Sequence, residues 1–308
     1  MPALGANSLS SLRESERATL AQRSGVITRL SNLPPFHSTA LRLLTVRAES
    51  DSAPRDFELA FQADSALACR LLLVVNAPPY GYRGRVESIR QAIDLMGMEG
   101  VRSLVLTLAI GSYMRGAQTA PAARSVWHHS LATAVIAETI GAAVGEEVPF
   151  LYTAGLLHDV GRMALLSIER ERYSGVLQRM YFDLDESLLL EDMLFGCAHD
   201  DAGAFLGRSW GMPQQLCDCI GSHHQPEGSG MLQQIVQLAC STAGSLGMGE
   251  LQCEDHVEAP RDGELGARLA EAAAMRPDRL LFRIRQITEA LANVGVHPAA
   301  GDAPWKTS

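Results

Sequence analysis

The stretch Ala154-Gly155-Leu156-Leu157-His158-Asp159-Val160-Gly161-Arg162 decides how this chain is read. From Phe150 to Val160, helical spacing puts His158 on the face of Leu151 and Ala154, with Asp159 beside it. Gly161 is expected to end that turn. A carboxylate at the end of an apolar helix is costly to bury unless it is paired or holds a cation. The dipeptide thus marks both a helix and a candidate site.

Outward from it, helical signals recur. Asp64 is placed to cap a helix whose Leu67, Leu71 and Val74 share a face. Ala53-Pro54 puts a proline at a helix start, with Asp56 and Glu58 near its positive end. Asn76-Ala77-Pro78-Pro79 stops the helix before it. Ser88-Ile89-Arg90-Gln91 reads as a capping box, followed by a stripe of Ile89, Ala92, Ile93 and Met96 that Gly97 terminates. Val101, Leu104, Val105 and Leu108 carry the next helix. Residues 115–124 are small and polar and read as a linker. A second helical block runs from about 125 to 250, and a final helix is expected around Leu280, Ile284, Ile287 and Leu291. No alternating strand pattern longer than a few residues occurs, so the expected fold class is all-α. The expected divisions are an extension over 1–30, a helical lobe over 31–118, a second lobe over 125–248, C-terminal helices over 260–295 and a tail over 296–308.

Composition narrows the function. The 308 residues are 47% hydrophobic and 20% charged, enough apolar material for a sizeable core. Lys plus Arg number 26 against 35 Asp plus Glu, a net charge of −9 that disfavours nucleic acid and anionic membranes as partners. The longest apolar run, Leu104 to Ile110 and broken only by Thr107, is far short of the roughly 20 residues a membrane helix needs. Met1 to Leu20 has no apolar signal region, so a cytoplasmic protein is expected. The six cysteines include no Cys-x-x-Cys pair and read as reduced thiols. No phosphate loop or Gly-x-Ser-x-Gly elbow is present. The helix–Gly97–helix unit has helix-turn-helix form, but Arg102 alone is offered to bases where such motifs use three or four side chains.

Five of the nine histidines stand in inward-aimed or clustered positions: His129, on the stripe of Ala132, Thr133, Ile136 and Ile140, then His158, His199, His223 and His224. Neutral imidazoles with one carboxylate suit Zn²⁺, Fe²⁺ or Mn²⁺. Each histidine taken singly reads as readily as an ordinary core or solvated residue.

Trp127-His128-His129-Ser130-Leu131-Ala132 and the segment Ala154 to Arg162 resemble the HD superfamily of helical metal-dependent phosphohydrolases, and within it the HDOD branch. Leu33-Pro34-Pro35, Asn76 with Tyr80-Gly81, Ser88 to Gly97, Gly196, His199, Gly203, Trp210-Gly211-Met212-Pro213 and His223-His224 carry the same likeness. It covers roughly residues 30–245 and implies a two-lobed helical fold with an HD-like lobe. It also implies one ion on His129, His158 and Asp159, completed by an aspartate where this chain has Cys240. A second ion, as in HD-GYP phosphodiesterases, would use Asp159, His199, His223 and His224. The substitution at Cys240 leaves two readings. Its thiolate closes a four-coordinate zinc site, or it is a small buried residue facing the core with Val236 and Ala243. Both weaken hydrolysis, which needs an open position on the metal. The resemblance therefore implies a bacterial signalling regulator, working through protein partners or a cyclic dinucleotide bound between the lobes. The alternative is a metal-dependent phosphodiesterase with Asp159 and Arg162 at the chemistry.

Overall fold

Asp64 accepts a hydrogen bond from the Leu67 amide at 2.9 Å and so caps one of the many helices of the computed structural model. The structure describes residues 21–46, 50, 52–82, 84–113, 121–145, 148, 150–177, 184–225, 230–248 and 277–294. Among them there is no strand, so the all-α reading holds.

Helix α1 (residues 21–31) opens the described chain, and the first lobe runs through α2 (Ser38–Thr45), α3 (Ala53–Gln62), α4 (Ser65–Val75), a 3-10 turn (Pro78–Tyr80) and α5 (Ile89–Tyr113). Ser88 Oγ accepts from the Gln91 amide at 3.1 Å, as a capping box requires. The return arm differs: Gln91 Oε1 accepts from the amide of Glu87 rather than of Ser88. Gly97, at φ 74° and ψ 166°, breaks α5 into two helical halves. Arg102 lies buried beyond that break. It donates to the carbonyls of Leu43 and Val46, pairs with Glu99, and its guanidinium stands 5.5 Å from the centre of the Phe57 ring. The second half of α5 is therefore a packing element, with its arginine committed to the lobe's own backbone.

The second lobe holds α6 (Pro121–Val144), α7 (Leu151–Leu157), α8 (Val160–Ile168), α9 (Arg170–Leu177), α10 (Leu184–Phe195), α11 (His199–Ser209), α12 (Gln214–Ser222) and α13 (Met231–Ser245). Helix α6 begins at Pro121 rather than near 125, because proline needs no amide partner in a first turn. Every residue from Val126 to Ala137 is buried, so α6 is a central helix, packed mainly against α7 and α13. The backbones approach closely because glycines line the crossings. A Cβ on Gly155 would meet Ala134 Cα at 2.8 Å, and one on Gly161 would lie 1.8 Å from the His199 carbonyl oxygen. This corrects the reading of Gly161 as a helix end. It lies inside α8, where its missing side chain admits α11.

Contacts tie the elements across the lobes. Thr107 on α5 and Tyr152 on α7 share a hydrogen bond of 2.8 Å. Helix α14 (Pro277–Asn293) pairs Arg283 with Glu138 of α6 at 2.5 Å. The buried Val26 and Leu30 belong to α1, whose Arg29 pairs with Glu169 at 2.5 Å and Arg23 with Asp201 at 3.3 Å. Residues 1–20, 249–276 and 295–308 of the expected extension, C-terminal block and tail lie outside the described residues. Among the described residues no helix is long and apolar enough to cross a membrane.

Candidate metal centre

Helix ends bring the candidate residues together. His129 comes from the middle of α6, His158 caps the C-terminus of α7 and Asp159 the N-terminus of α8. His199 opens α11, His223 ends α12 with His224 following it, and Cys240 projects from α13. The ends of α7, α8, α11 and α12 thus meet against the middles of α6 and α13, which gathers residues 129 to 240 within one small volume. A carboxylate at the start of α8 also sits favourably in the field of that helix.

The backbone fixes which ring nitrogen faces inward. Nδ1 of His129, His158 and His223 lies 3.1, 2.7 and 2.7 Å from the carbonyl oxygens of Met248, Gly155 and Ile220. A carbonyl only accepts, so each Nδ1 carries the hydrogen and each Nε2 keeps its lone pair. His199 is held the same way by a carboxylate: Nδ1 donates to Glu191 Oε2 at 2.7 Å. The buried Nε2 atoms of His158 and His223 have no hydrogen-bond partner. Nε2 of His199 stands 3.0 Å from Nε2 of His224, a distance at which a proton or a cation must lie between two lone pairs. Orphaned, inward-aimed donors of this kind fit a divalent ion.

The donors form two sets sharing one carboxylate. His129, His158 and Cys240 make the first, with Cys240 Sγ 3.3 Å from His129 Nε2. Asp159 Oδ2 reaches it at 3.4 Å from His158 Nε2 and 3.9 Å from His129 Nε2. Asp159, His199, His223 and His224 make the second, with Oδ1 3.3 Å from His199 Nε2 and 3.8 Å from His223 Nε2. Burial holds the His129 imidazole down to about 4 and lowers His158, His223 and His224 as well, so the rings are neutral donors at pH 7. Burial alone would raise the Asp159 carboxyl. The Arg162 guanidinium, whose Nε donates to Oδ1 at 3.0 Å, opposes this, and the Asp159 carboxyl is held well below its ordinary range.

The model of the HDOD domain matches residues 33–226, well over half of the chain, and those residues include six of the seven donors. The chain belongs to the HDOD domain family. An HDOD domain protein of unknown function from Geobacter sulfurreducens has the same fold at TM-score 0.67 and 23% identity, over 90% of this chain and 97% of that one. A Marinobacter aquaeolei protein assigned by inference to signal transduction gives 0.67 and 23%, over 91% and 66%. One from Shewanella amazonensis assigned by inference as a phosphohydrolase gives 0.63 and 18%, over 86% and 97%. A curated relative, an uncharacterized protein of Treponema pallidum, is 22% identical over 213 residues. The match takes in 68% of this chain but only 41% of the length of that relative.

The ligand atoms of the seven residues singled out in the sequence lie in these two neighbouring groups. Cys240 is half-buried and turns its thiol to His129, while Val236 and Ala243 on the same helix are fully buried. Arg162 stands at Asp159, where it was expected, but its other contact was not foreseen. Glu191 of α10, fully buried, takes Arg162 at 3.4 Å, the Tyr173 hydroxyl at 2.6 Å, and both the amide and Nδ1 of His199. Burial pushes this carboxyl up, but His199 and Arg162 outweigh burial and keep it charged. Its signal in the sequence was an acid within the apolar run Leu188-Leu189-Leu190-Glu191, one helical turn from the buried Ser187 and Phe195.

Proposed function

We propose that this HDOD protein is a signalling regulator that recognises a partner and does not cut a substrate. Its His129, His158, Asp159 and Cys240 would hold one structural zinc ion. The observation that carries this reading is the approach of Cys240 Sγ to His129 Nε2 at 3.3 Å. A thiolate with two imidazoles and a carboxylate is a closed tetrahedral set, and such sites stabilise folds rather than activate water. Arg162 supports the same reading, since its guanidinium takes one lone pair of Asp159 Oδ1 and so weakens that oxygen as a donor to a second ion. When bound, zinc would supply a charge that locks α6, α7 and α13 around one point. The partner is a protein of a signalling pathway or a cyclic dinucleotide, held at the junction of the lobes.

Elemental analysis and turnover assays on the purified chain test this. One zinc per chain, with no cleavage of bis(p-nitrophenyl) phosphate or cyclic dinucleotides, is expected. Two iron or manganese ions per chain, with cleavage abolished by His158→Ala, would instead establish a phosphodiesterase. That second reading draws on Asp159, His199, His223 and His224, whose ligand atoms all lie within 4.8 Å of one another.

A further inference from the structure

Away from the metal centre, the helices frame a second, partly open space. A cavity of about 230 Å³ lies where α5, α6, α7, α14 and the 3-10 turn meet, lined among others by Tyr80, Leu104, Glu138, Tyr152, Arg283 and Gln286. Its residues come from both lobes and from the C-terminal helix, a typical position for a small-molecule site. Met96 and Ile287 add apolar wall, and Gly100 leaves α5 without a side chain there. Burial pushes the Tyr80 phenol up to about 12 and raises Tyr152 further, so both hydroxyls are neutral at pH 7.

We propose that this cavity binds one 6-oxopurine base, free or as a nucleoside. The volume is below the roughly 300 Å³ at which sites for drug-sized ligands begin, so it suits a single ring system. The charged residues at its rim cancel: Arg283 pairs with Glu138 at 2.5 Å, both partly exposed, which favours a neutral occupant over a phosphate or carboxylate. That pair also offers a donor fork beside an acceptor. Only one Glu138 oxygen, Oε2, takes Arg283, whose guanidinium carries five N–H groups, one of them directed to Thr139. An Arg fork suits the O6 and N7 of an oxopurine, as it does guanine in DNA, and a carboxylate accepts the N1–H. Adenine presents an acceptor at N1 and a donor at C6, so the same pair meets it with both polarities reversed. Ser103 and Gln286 supply further neutral polar contacts, and Leu104 and Ile287 bury the ring faces.

This site goes beyond the metal reading but shares its scaffold. Glu138 and His129 ride on α6, nine residues or about 13 Å apart, and Tyr152 lies on the helix that His158 caps. Binding is tested by titrating the full chain with inosine and adenosine in a thermal-shift assay and by calorimetry. With 1 mM inosine the melting temperature should rise by about 2–4 °C, and inosine should bind at least tenfold more tightly than adenosine. Arg283→Met, which changes a half-exposed side chain, should weaken inosine at least tenfold while leaving the zinc content unchanged. Ser103→Leu, which fills the cavity, should abolish the response. No shift with inosine, equal binding of adenosine, or unchanged binding by Arg283→Met would each overturn the proposal. Any of these leaves the metal count, and hence the regulatory reading, to be judged separately.

Discussion

Glu191 Oε2 accepts both the backbone amide and the Nδ1–H of His199, each at 2.7 Å. One carboxylate thereby fixes the start of α11 and the direction in which the His199 ring presents Nε2. The other Glu191 oxygen joins Tyr173 and Arg162, so the network behind the histidines is buried and closed.

Breaking that network should be costly. Glu191→Ala leaves Arg162 with one carboxylate and strands the His199 amide, and removal of a buried ionic partner costs about 3–5 kcal/mol. Glu191→Gln keeps the shape and loses only the charge, so its cost should be about half as large. Urea unfolding of the two variants measures the difference. Equal losses below about 1 kcal/mol would mean that Glu191 is not a structural hub.

Cys240 gives the cleanest probe of the metal, because it is half-buried whereas His129 also supports the Met248 carbonyl. In the native protein, EDTA should lower the melting temperature, since an ion bound only to the folded state stabilises it. Cys240→Ser should erase that difference and leave the EDTA-treated melting temperature almost unmoved. Cys240→Asp, which restores an oxygen donor, should shift the metal recovered from zinc toward manganese or iron. An EDTA effect that persists in Cys240→Ser would place the ion elsewhere.

The helix crossing makes a sharp prediction about glycines. Gly161→Ala would drive a Cβ to 1.8 Å from the His199 carbonyl and 2.7 Å from the Gly203 amide nitrogen, both backbone atoms that cannot rotate away. A loss of about 3 kcal/mol or more is expected, with reduced metal retention because His199 is displaced. Gly175 is helical with open space around it, so Gly175→Ala should stabilise by about 0.5–1 kcal/mol. Equal effects of the two substitutions in thermal unfolding would refute the close approach.

Thiol chemistry should follow burial. The thiolate is the reactive form, and burial pushes the thiols of Cys219 and Cys197 up to about 12 and about 11. At pH 8 a disulfide reagent should therefore modify the exposed Cys69 quickly and leave Cys197 and Cys219 untouched in the native state. Cys240 should become reactive only after chelation. Rapid modification of Cys240 before chelation, read by mass spectrometry of peptides, would count against a metal thiolate.

Much of the fold was legible because its signals are local. The Asp64 cap, the Ser88–Gln91 arm and the break at Gly97 each involve residues within a turn of one another. Gly161 was misread for the same reason in reverse. In sequence it looks like a helix stop, and only the arrival of α11 shows that the missing Cβ serves a crossing. Glu191 is not legible in the sequence because its partners, 8, 18 and 29 residues away, stand on three other helices, α11, α9 and α8.

The amino-acid sequence by itself determined the helical class and the family and singled out seven candidate ligands, because side-chain period and residue type are properties of the chain alone. The tertiary structure decided how those donors divide about Asp159, that the Cys240 thiol faces His129, and that Arg162 and Glu191 stand behind them. Those relations depend on how the helices pack against one another, across segments up to 111 residues apart.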